Sequence, residues 1–303
     1  MKKSLFVILS FSIITCFSFA YEKEAFKDVD FVAFEQNTFV IGENCQTYTA
    51  QRTVSPFLLN KYETTYNLWY KIRKQAEKIG YHFENPGQEG SLGRRGKVPS
   101  SKVMAQPVTM ISWYDAVIWC NAYSEINNLT PCYTYKGQVL KDSSDTARLD
   151  LCEFDIKADG YRLPTEAEWE LAARYSNDKI LRADNPSGNS YWNFENADAT
   201  RTVGTSGTPF REDAPPQPSS GESNSAGLYD MSGNVLEFCW DWFADYSKQP
   251  EEEQPTGPSI GTQRVSRGGS WSPYTLFIYA GDRYYFNPSE YYNYLGFRIA
   301  KSK

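Results

Sequence analysis

The sequence predicts an α+β fold of short strands, a few capped helices and extensive loop, and three observations carry that prediction. Two capping boxes, Ser112-Trp-Tyr-Asp115 and Thr165-Glu-Ala-Glu168, each head a run that continues as helix. Several short alternating or β-rich runs are bounded by turn residues. Long polar stretches rich in Gly, Pro and Ser separate them.

In chain order, FVAFEQNTFVIG (31–42) alternates enough for an early strand and turn. VSPFLLNKYETTYNLWYKIRKQAEK (54–78) reads as strand then helix, capped by Thr64 or Thr65, with Leu68, Tyr70, Ile72 and Ala76 as partial apolar faces. Residues 80–102 form a glycine-rich polar loop holding His82, the only histidine, which reads as a solvated loop residue. VTMIS (108–112) is strand-like and runs into the helix capped by Ser112. Residues 128–159 form a hairpin-like insertion. GYRLPTEAEWELAAR (160–174) ends an extended piece at Leu163-Pro164 and starts the helix capped by Thr165. Residues 177–225 are long and polar, a length that is usually functional or metal-stiffened where it is not mobile. RVSRGGSW (264–271) is a strand, and GFRIA (296–300) closes the chain as another. No fixed-period repeat and no Pro/Gly linker divides residues 21–303, so one domain is expected.

Composition narrows function. Hydrophobic residues make up 41% and charged residues 22% of 303, an ordinary globular balance. A net charge of −6 without a basic block disfavours nucleic acid and anionic membranes as partners. One histidine cannot build a multi-imidazole metal site. No Ser/His/Asp set sits in nucleophile-elbow context, and no acid–base pair stands out by spacing.

The first twenty residues read as a signal peptide: Lys2 and Lys3, an apolar run from Ser4 to Ile14 too short to span a bilayer, then Ser18-Phe19-Ala20. Cleavage before Cys16 is the alternative, since Ile13-Ile14-Thr15-Cys16 resembles a relaxed lipoprotein box that would lipidate Cys16. Either route implies an exported protein, at the cell surface, in the outer envelope, in the periplasm or secreted. Five further cysteines remain, so at least one is unpaired. Cys132 and Cys152 flank the polar insertion and form the preferred pair; Cys120 and Cys239, among apolar neighbours, read as buried thiols.

Seven segments in order, NTFVIG, KYETT, PVTMISWYDAVIWCNAYSE, GYRLPTEAEWELAAR, GLYDMSGNVLEFCWDW, RVSRGGSW and LGFRIA, resemble the formylglycine-generating-enzyme (sulfatase-modifying factor) family. The resemblance implies a C-type-lectin-like fold with two main helices and a small twisted antiparallel sheet. The family's oxidases bind copper through two cysteines after the GGS[WY] strand, and thiolates suit copper(I). Residues 272–296 hold no cysteine, and Pro273 stands near the first expected position. The family's iron branch needs a histidine cluster, also lacking here, so neither copper nor iron is expected. The resemblance further implies a structural calcium site at the Ser232-Gly233-Asn234 turn, with Asn234, Val235 and Glu237 as oxygen ligands, and a second near Asn196 and Ala197.

Between the family-like RGGSW and GFR, nine of the 23 residues from Ser272 to Tyr294 are Tyr or Phe. This segment resembles the variable region of diversity-generating-retroelement proteins, which use the same fold. Adenine-directed mutagenesis of AAC codons cannot yield Lys, Glu, Gln, Met or Trp. Residues 272–295 contain one of these, Glu290, whereas SKQPEEEQP (247–255) is full of them. Tyr offers large apolar area, a polar tip and few rotors, as in antibody paratopes. Pro273, Tyr274, Leu276, Phe277, Tyr279, Asp282, Tyr284, Tyr285, Tyr291, Tyr292 and Tyr294 are the expected contacts, Arg283 and Pro288 the framework, and Phe286 and Leu295 the core. The reading is a non-catalytic, exported, monomeric receptor for a protein or surface ligand. Two alternatives remain: an enzyme of the family with another chemistry, needing a pocket near Trp271, Arg283 and Arg298, and an envelope protein with a fixed partner.

Overall fold

A computed structural model describes residues 29–100, 105–188, 193, 197, 199–203, 222–246 and 255–303. The signal segment with Cys16, Asn196 and much of the 177–225 stretch lie outside the described residues. Strands β1 (Phe31–Phe34), β2 (Asn37–Ile41), β3 (Ala50–Val54) and β4 (Phe57–Asn60) open the chain. β2 pairs antiparallel with β3, and its period-2 pattern turns Phe39 and Ile41 inward and Thr38 and Val40 outward. β1 pairs antiparallel with β4.

Helix α1 (Tyr66–Ala76) starts at Thr65, whose hydroxyl accepts from the Leu68 amide, so Thr65 rather than Thr64 is the cap. Strand β5 (Gln88–Glu89) pairs with β6 (Val108–Thr109). The VTMIS run is therefore strand for two residues only, because Met110 takes a φ of +55° and turns the chain toward the next helix. Helix α2 (Trp113–Ile126) has the expected capping box between Ser112 and Asp115, and every residue from Trp113 to Ser124 is buried. A helix enclosed on all sides needs its polar groups partnered. The Asp115 carboxylate accordingly accepts from the Ser112 amide and hydroxyl, from Asn85 and from the Ser143 hydroxyl.

The 128–159 insertion holds strands β7 (Tyr133–Tyr135), β8 (Gln138–Val139) and β9 (Glu153–Phe154), with a single helical turn, α3 (Thr146–Leu149). Its register corrects the expected Cys132–Cys152 disulfide. Tyr133 faces Phe154 and Thr134 faces Glu153, so the two cysteines stand at opposite ends of the ladder. Three residues of offset is about 10 Å, beyond the roughly 7 Å a disulfide spans. Cys45, Cys120, Cys132, Cys152 and Cys239 are all free thiols, and Cys120 and Cys239 are buried as expected. His82 is exposed, with Nδ1 2.8 Å from Asp142 Oδ1.

Helix α4 (Glu166–Arg174) begins at the Thr165–Glu168 capping box. A short hairpin, β10 (Tyr175–Ser176) with β11 (Lys179–Ile180), follows it. Strand β12 (Leu236–Trp242) is buried along its whole length and is the centre of the second sheet. β13 (Arg264–Arg267) pairs with it antiparallel, β14 (Tyr284–Phe286) adds antiparallel to β13, and β15 (Leu295–Gly296) lies parallel to β12 on the other side. The last strand, β16 (Ala300–Ser302), leaves this sheet and pairs with β4. GFRIA is thus not one closing strand; buried Phe297–Ile299 carry the chain from one sheet to the other.

Among the described residues, most buried apolar side chains gather in two clusters. One packs α1 and α2 against Phe238 and Phe297, with the Trp69 and Trp119 rings stacked 5.8 Å apart. The other gathers Phe39, Phe57, Trp169, Cys239 and Val265 around α4. Among the described residues, no helix is long and apolar enough to cross a membrane.

Candidate functional site: an aromatic surface strung between two anchors

The stretch between β13 and β15 opens on a turn that requires glycine. Gly268 and Gly269 have φ values of +94° and +70°. A Cβ on Gly269 would stand 2.5 Å from the Phe277 carbonyl oxygen, so the missing side chain lets residues 277 and 278 fold back over the turn. Beyond it, small polar residues point inward. The Ser270 and Thr275 hydroxyls are 2.6 Å apart, the Ser272 amide donates to Ser270 Oγ, and the Thr275 amide donates to the Ser272 carbonyl. Ser272, Thr275 and Ile278 are buried, while Pro273, Tyr274, Leu276, Phe277 and Tyr279 between them are exposed. Tyr274 is 80% exposed, Phe277 59% and Leu276 52%, values that large apolar side chains do not reach in a core.

The backbone carrying these side chains is tied down from beneath. The Ser232 hydroxyl donates to the Ile278 carbonyl, the Ala280 amide to the Asn185 carbonyl and the Gly281 amide to the Ala183 carbonyl. Asp282, an expected contact, is part of this bracing. It is half-buried, and its carboxylate accepts from the Tyr279 amide at 2.8 Å and from Cys45 Sγ at 3.1 Å. Burial and the Asp282 carboxylate together push the Cys45 thiol up to about 12.

Arg283 is framework, as the sequence suggested. Its guanidinium forks onto Glu166 at 2.6 and 2.7 Å, donates to the Ala244 carbonyl and lies 4.0 Å from the centre of the Tyr246 ring. Arg267, fully buried, approaches the same Glu166 and bonds Glu170 and the Asp282 carbonyl. Burial by itself would raise the Glu166 carboxyl; Arg283 and Arg267 outweigh it and hold the group below its ordinary range. Pro288 is also buried, and its carbonyl accepts from the Trp113 amide at the start of α2.

Tyr284 is half-buried, and its hydroxyl clamps Phe277, accepting from the amide at 2.9 Å and donating to the carbonyl at 3.1 Å. Tyr285 is exposed and packs one face on Phe243, the ring centres 4.2 Å apart. Tyr291 is exposed beneath the Arg95 guanidinium, 4.7 Å from its ring centre. Tyr292 and Tyr294 are half-buried and stacked at 5.0 Å, with Tyr274 against Tyr294 and Phe286 against Tyr292. The four rings make one continuous row. Phe286 lies at the core's edge rather than inside it, while Leu295 is fully buried. Of eleven expected contacts, Pro273, Tyr274, Leu276, Phe277, Tyr279, Tyr285 and Tyr291 are thus exposed, and Asp282, Tyr284, Tyr292 and Tyr294 are half-buried supports.

The expected calcium ligands do not fit that ion. Both Glu237 oxygens accept from the buried Arg298 guanidinium at 2.6 Å, and one also accepts from Trp169 Nε1. A carboxylate neutralised by Arg298 has no free charge for a cation, and the guanidinium would repel one. Asn234 Oδ1 accepts from the Arg201 amide, and its Nδ2 donates to Glu63, whose other oxygen accepts from the Val235 amide. The turn is held by hydrogen bonds. Arg283 and Arg298, near which the enzymatic alternative places a pocket, both pair with buried carboxylates.

The family described as sulfatase-modifying factor enzyme 1-like domain matches residues 20–303. The chain belongs to this family. Among its relatives, the chaperone protein LppX of Paenibacillus barcinonensis is 32% identical over 229 residues, 72% of this chain and 70% of that protein. The formylglycine-generating enzyme of Mus musculus is 28% identical over 226 residues, 70% of this chain and 49% of the enzyme, so the match spans about half the enzyme's length. The solved structure of Treponema denticola variable protein 1 superposes with a TM-score of 0.67 at 28% identity, covering 90% of this chain and 95% of that one. The family's C-type-lectin-like architecture of few helices and small sheets is the fold found here. Sequence reasoning missed Arg95, which covers Tyr291, and the exposed Leu92 and Val98 of the same loop; apolar residues inside the glycine-rich run SLGRRGKV were the available signal.

Proposed function

We propose that this family member is an exported, non-catalytic ligand-binding protein whose 272–294 segment is the contact surface. One observation carries the reading: seven large or rigid side chains project outward from a backbone whose intervening residues are fastened to buried ion pairs and sheet edges. Rigid aromatic groups on a fixed frame bind at low entropic cost. Oxidase chemistry of the family requires a cysteine pair, and residues 272–296 contain none. The composition of the segment, with Glu290 the one residue AAC-codon mutagenesis cannot reach, supports diversification. Export through residues 1–20, with release after Ala20 or lipidation at Cys16, and action as a monomer belong to the same proposal.

Sequencing this locus from several isolates tests it. Substitutions are expected to concentrate at Pro273, Tyr274, Leu276, Phe277, Tyr279, Tyr285 and Tyr291, and to spare Ser272, Thr275, Arg283 and Pro288. A segment no more variable than its flanks removes diversification and leaves a receptor for a fixed partner.

A further inference from the structure

Next to Ser91 and Arg95, which touch the 272–294 segment, lies a cleft the proposed surface does not include. It has a volume of about 480 Å³, within the range that admits a short segment of a ligand, and its walls include Tyr66, Glu89, Leu92, Arg94, Lys97 and Val98. Leu92 is 82% exposed and Val98 73%, among the described residues the most exposed aliphatic side chains beyond the aromatic segment apart from Ile260. Backbone bonds hold the loop in shape: the Gly93 amide donates to Glu89, Gly96 to Gly87 and Lys97 to Arg94. The Tyr66 hydroxyl donates to the Lys97 carbonyl at 2.6 Å and fixes the loop to α1.

Charge distinguishes this cleft on an acidic protein. Among the described residues neither Arg94 nor Lys97 has a carboxylate partner. Glu89, the one acid in the lining, accepts from the Ser100 amide. Arg95 lies on the adjoining side, donating to Asn85 and covering Tyr291. Two chain neighbours of the lining touch the 272–294 segment: the Ser91 carbonyl lies 3.4 Å from Asn293 Nδ2, and Arg95 covers Tyr291.

We infer that this cleft is a second, fixed subsite of the binding surface, taking an acidic residue flanked by apolar side chains from a protein ligand. Arg94 and Lys97 meet the carboxylate, and Leu92 and Val98 meet its neighbours. The inference rests on the proposed binding role of residues 272–294, and it adds an anchor that stays constant when that segment changes.

The test selects displayed random twelve-residue peptides on the chain from residue 21. It then measures binders against Arg94→Glu/Lys97→Glu and against Tyr274→Ser/Leu276→Ser/Phe277→Ser, each checked for an unchanged thermal midpoint. Enriched peptides are expected to carry Asp or Glu beside an apolar residue, to lose at least tenfold in affinity on charge reversal, and to weaken with salt. Binders that ignore charge reversal but fail on the serine variant overturn the subsite and leave the aromatic surface standing. Absence of any enriched peptide overturns the subsite as well. Binders that depend on the cleft yet ignore the serine variant keep the cleft and sink the reading of residues 272–294.

Discussion

Removing one oxygen tests whether the aromatic surface is held in place by its own frame. Tyr284→Phe keeps the ring but deletes the hydroxyl that accepts from the Phe277 amide at 2.9 Å and donates to its carbonyl at 3.1 Å. Burial pushes the Tyr284 phenol up to about 12, so at neutral pH it is protonated and able to donate. Each bond contributes about 0.5–1.5 kcal/mol net. Phe277 is exposed, so water replaces part of the loss, and the sum is about 1–2 kcal/mol. That predicts a thermal midpoint lower by about 2–6 °C. It also predicts amide exchange at Phe277 faster by about five- to thirtyfold. Hydrogen exchange resolved to single residues, with a parallel melt, reads both. Unchanged Phe277 protection would refute the clamp and with it the claim that residues 276–277 are presented by a fixed backbone.

Three further outcomes follow from the buried groups. Arg283→Ala leaves Glu166 in the interior with Arg267 as its remaining cation, and is expected to cost about 3 kcal/mol in urea unfolding; a loss under about 0.5 kcal/mol would show that the pair does not hold the segment. Asp241 is buried and accepts from the Glu166 amide, and burial, with Glu166 nearby, pushes its carboxyl up to about 7. The native state then holds this proton through a range where the unfolded state has released it, so stability falls between about pH 4 and 7, by at most about 4 kcal/mol. Asp241→Asn should flatten that slope in urea melts at pH 5 and 8, and an unaltered slope would contradict the assignment. Burial also pushes the Cys152 thiol, like Cys45, up to about 12, so native protein at pH 8 should react slowly with an aromatic disulfide and expose Cys45, Cys120, Cys132, Cys152 and Cys239 in urea; a fast native phase at these positions would contradict the placement of these side chains.

Local features were legible in the sequence. The caps Ser112–Asp115 and Thr165–Glu168 act within one turn, so residue spacing alone located both helix starts. The ordered segments located the fold and the anchors Gly268–Trp271 and Gly296–Arg298. What the sequence hid is non-local. Glu237 as partner of Arg298 spans 61 residues, so nothing beside it distinguishes an ion-paired carboxylate from a calcium ligand. The β7–β9 register that separates Cys132 from Cys152 depends on strand pairing. Tyr284, Tyr292 and Tyr294 read like the exposed tyrosines beside them. Their burial is set by Phe277, Phe286 and the ring stack rather than by periodicity.

A paired library measures the central claim most directly. One library randomises Pro273, Tyr274, Leu276, Phe277, Tyr279, Tyr285 and Tyr291; the other randomises Ser272, Thr275, Ile278, Asp282, Arg283, Tyr284 and Pro288. Both are displayed and panned against one test protein such as lysozyme. If residues 272–294 are a contact surface on an independent frame, the first library stays folded and yields binders, and the second loses folded display. A first library that unfolds as often as the second, or that folds and yields no binder, contradicts the account.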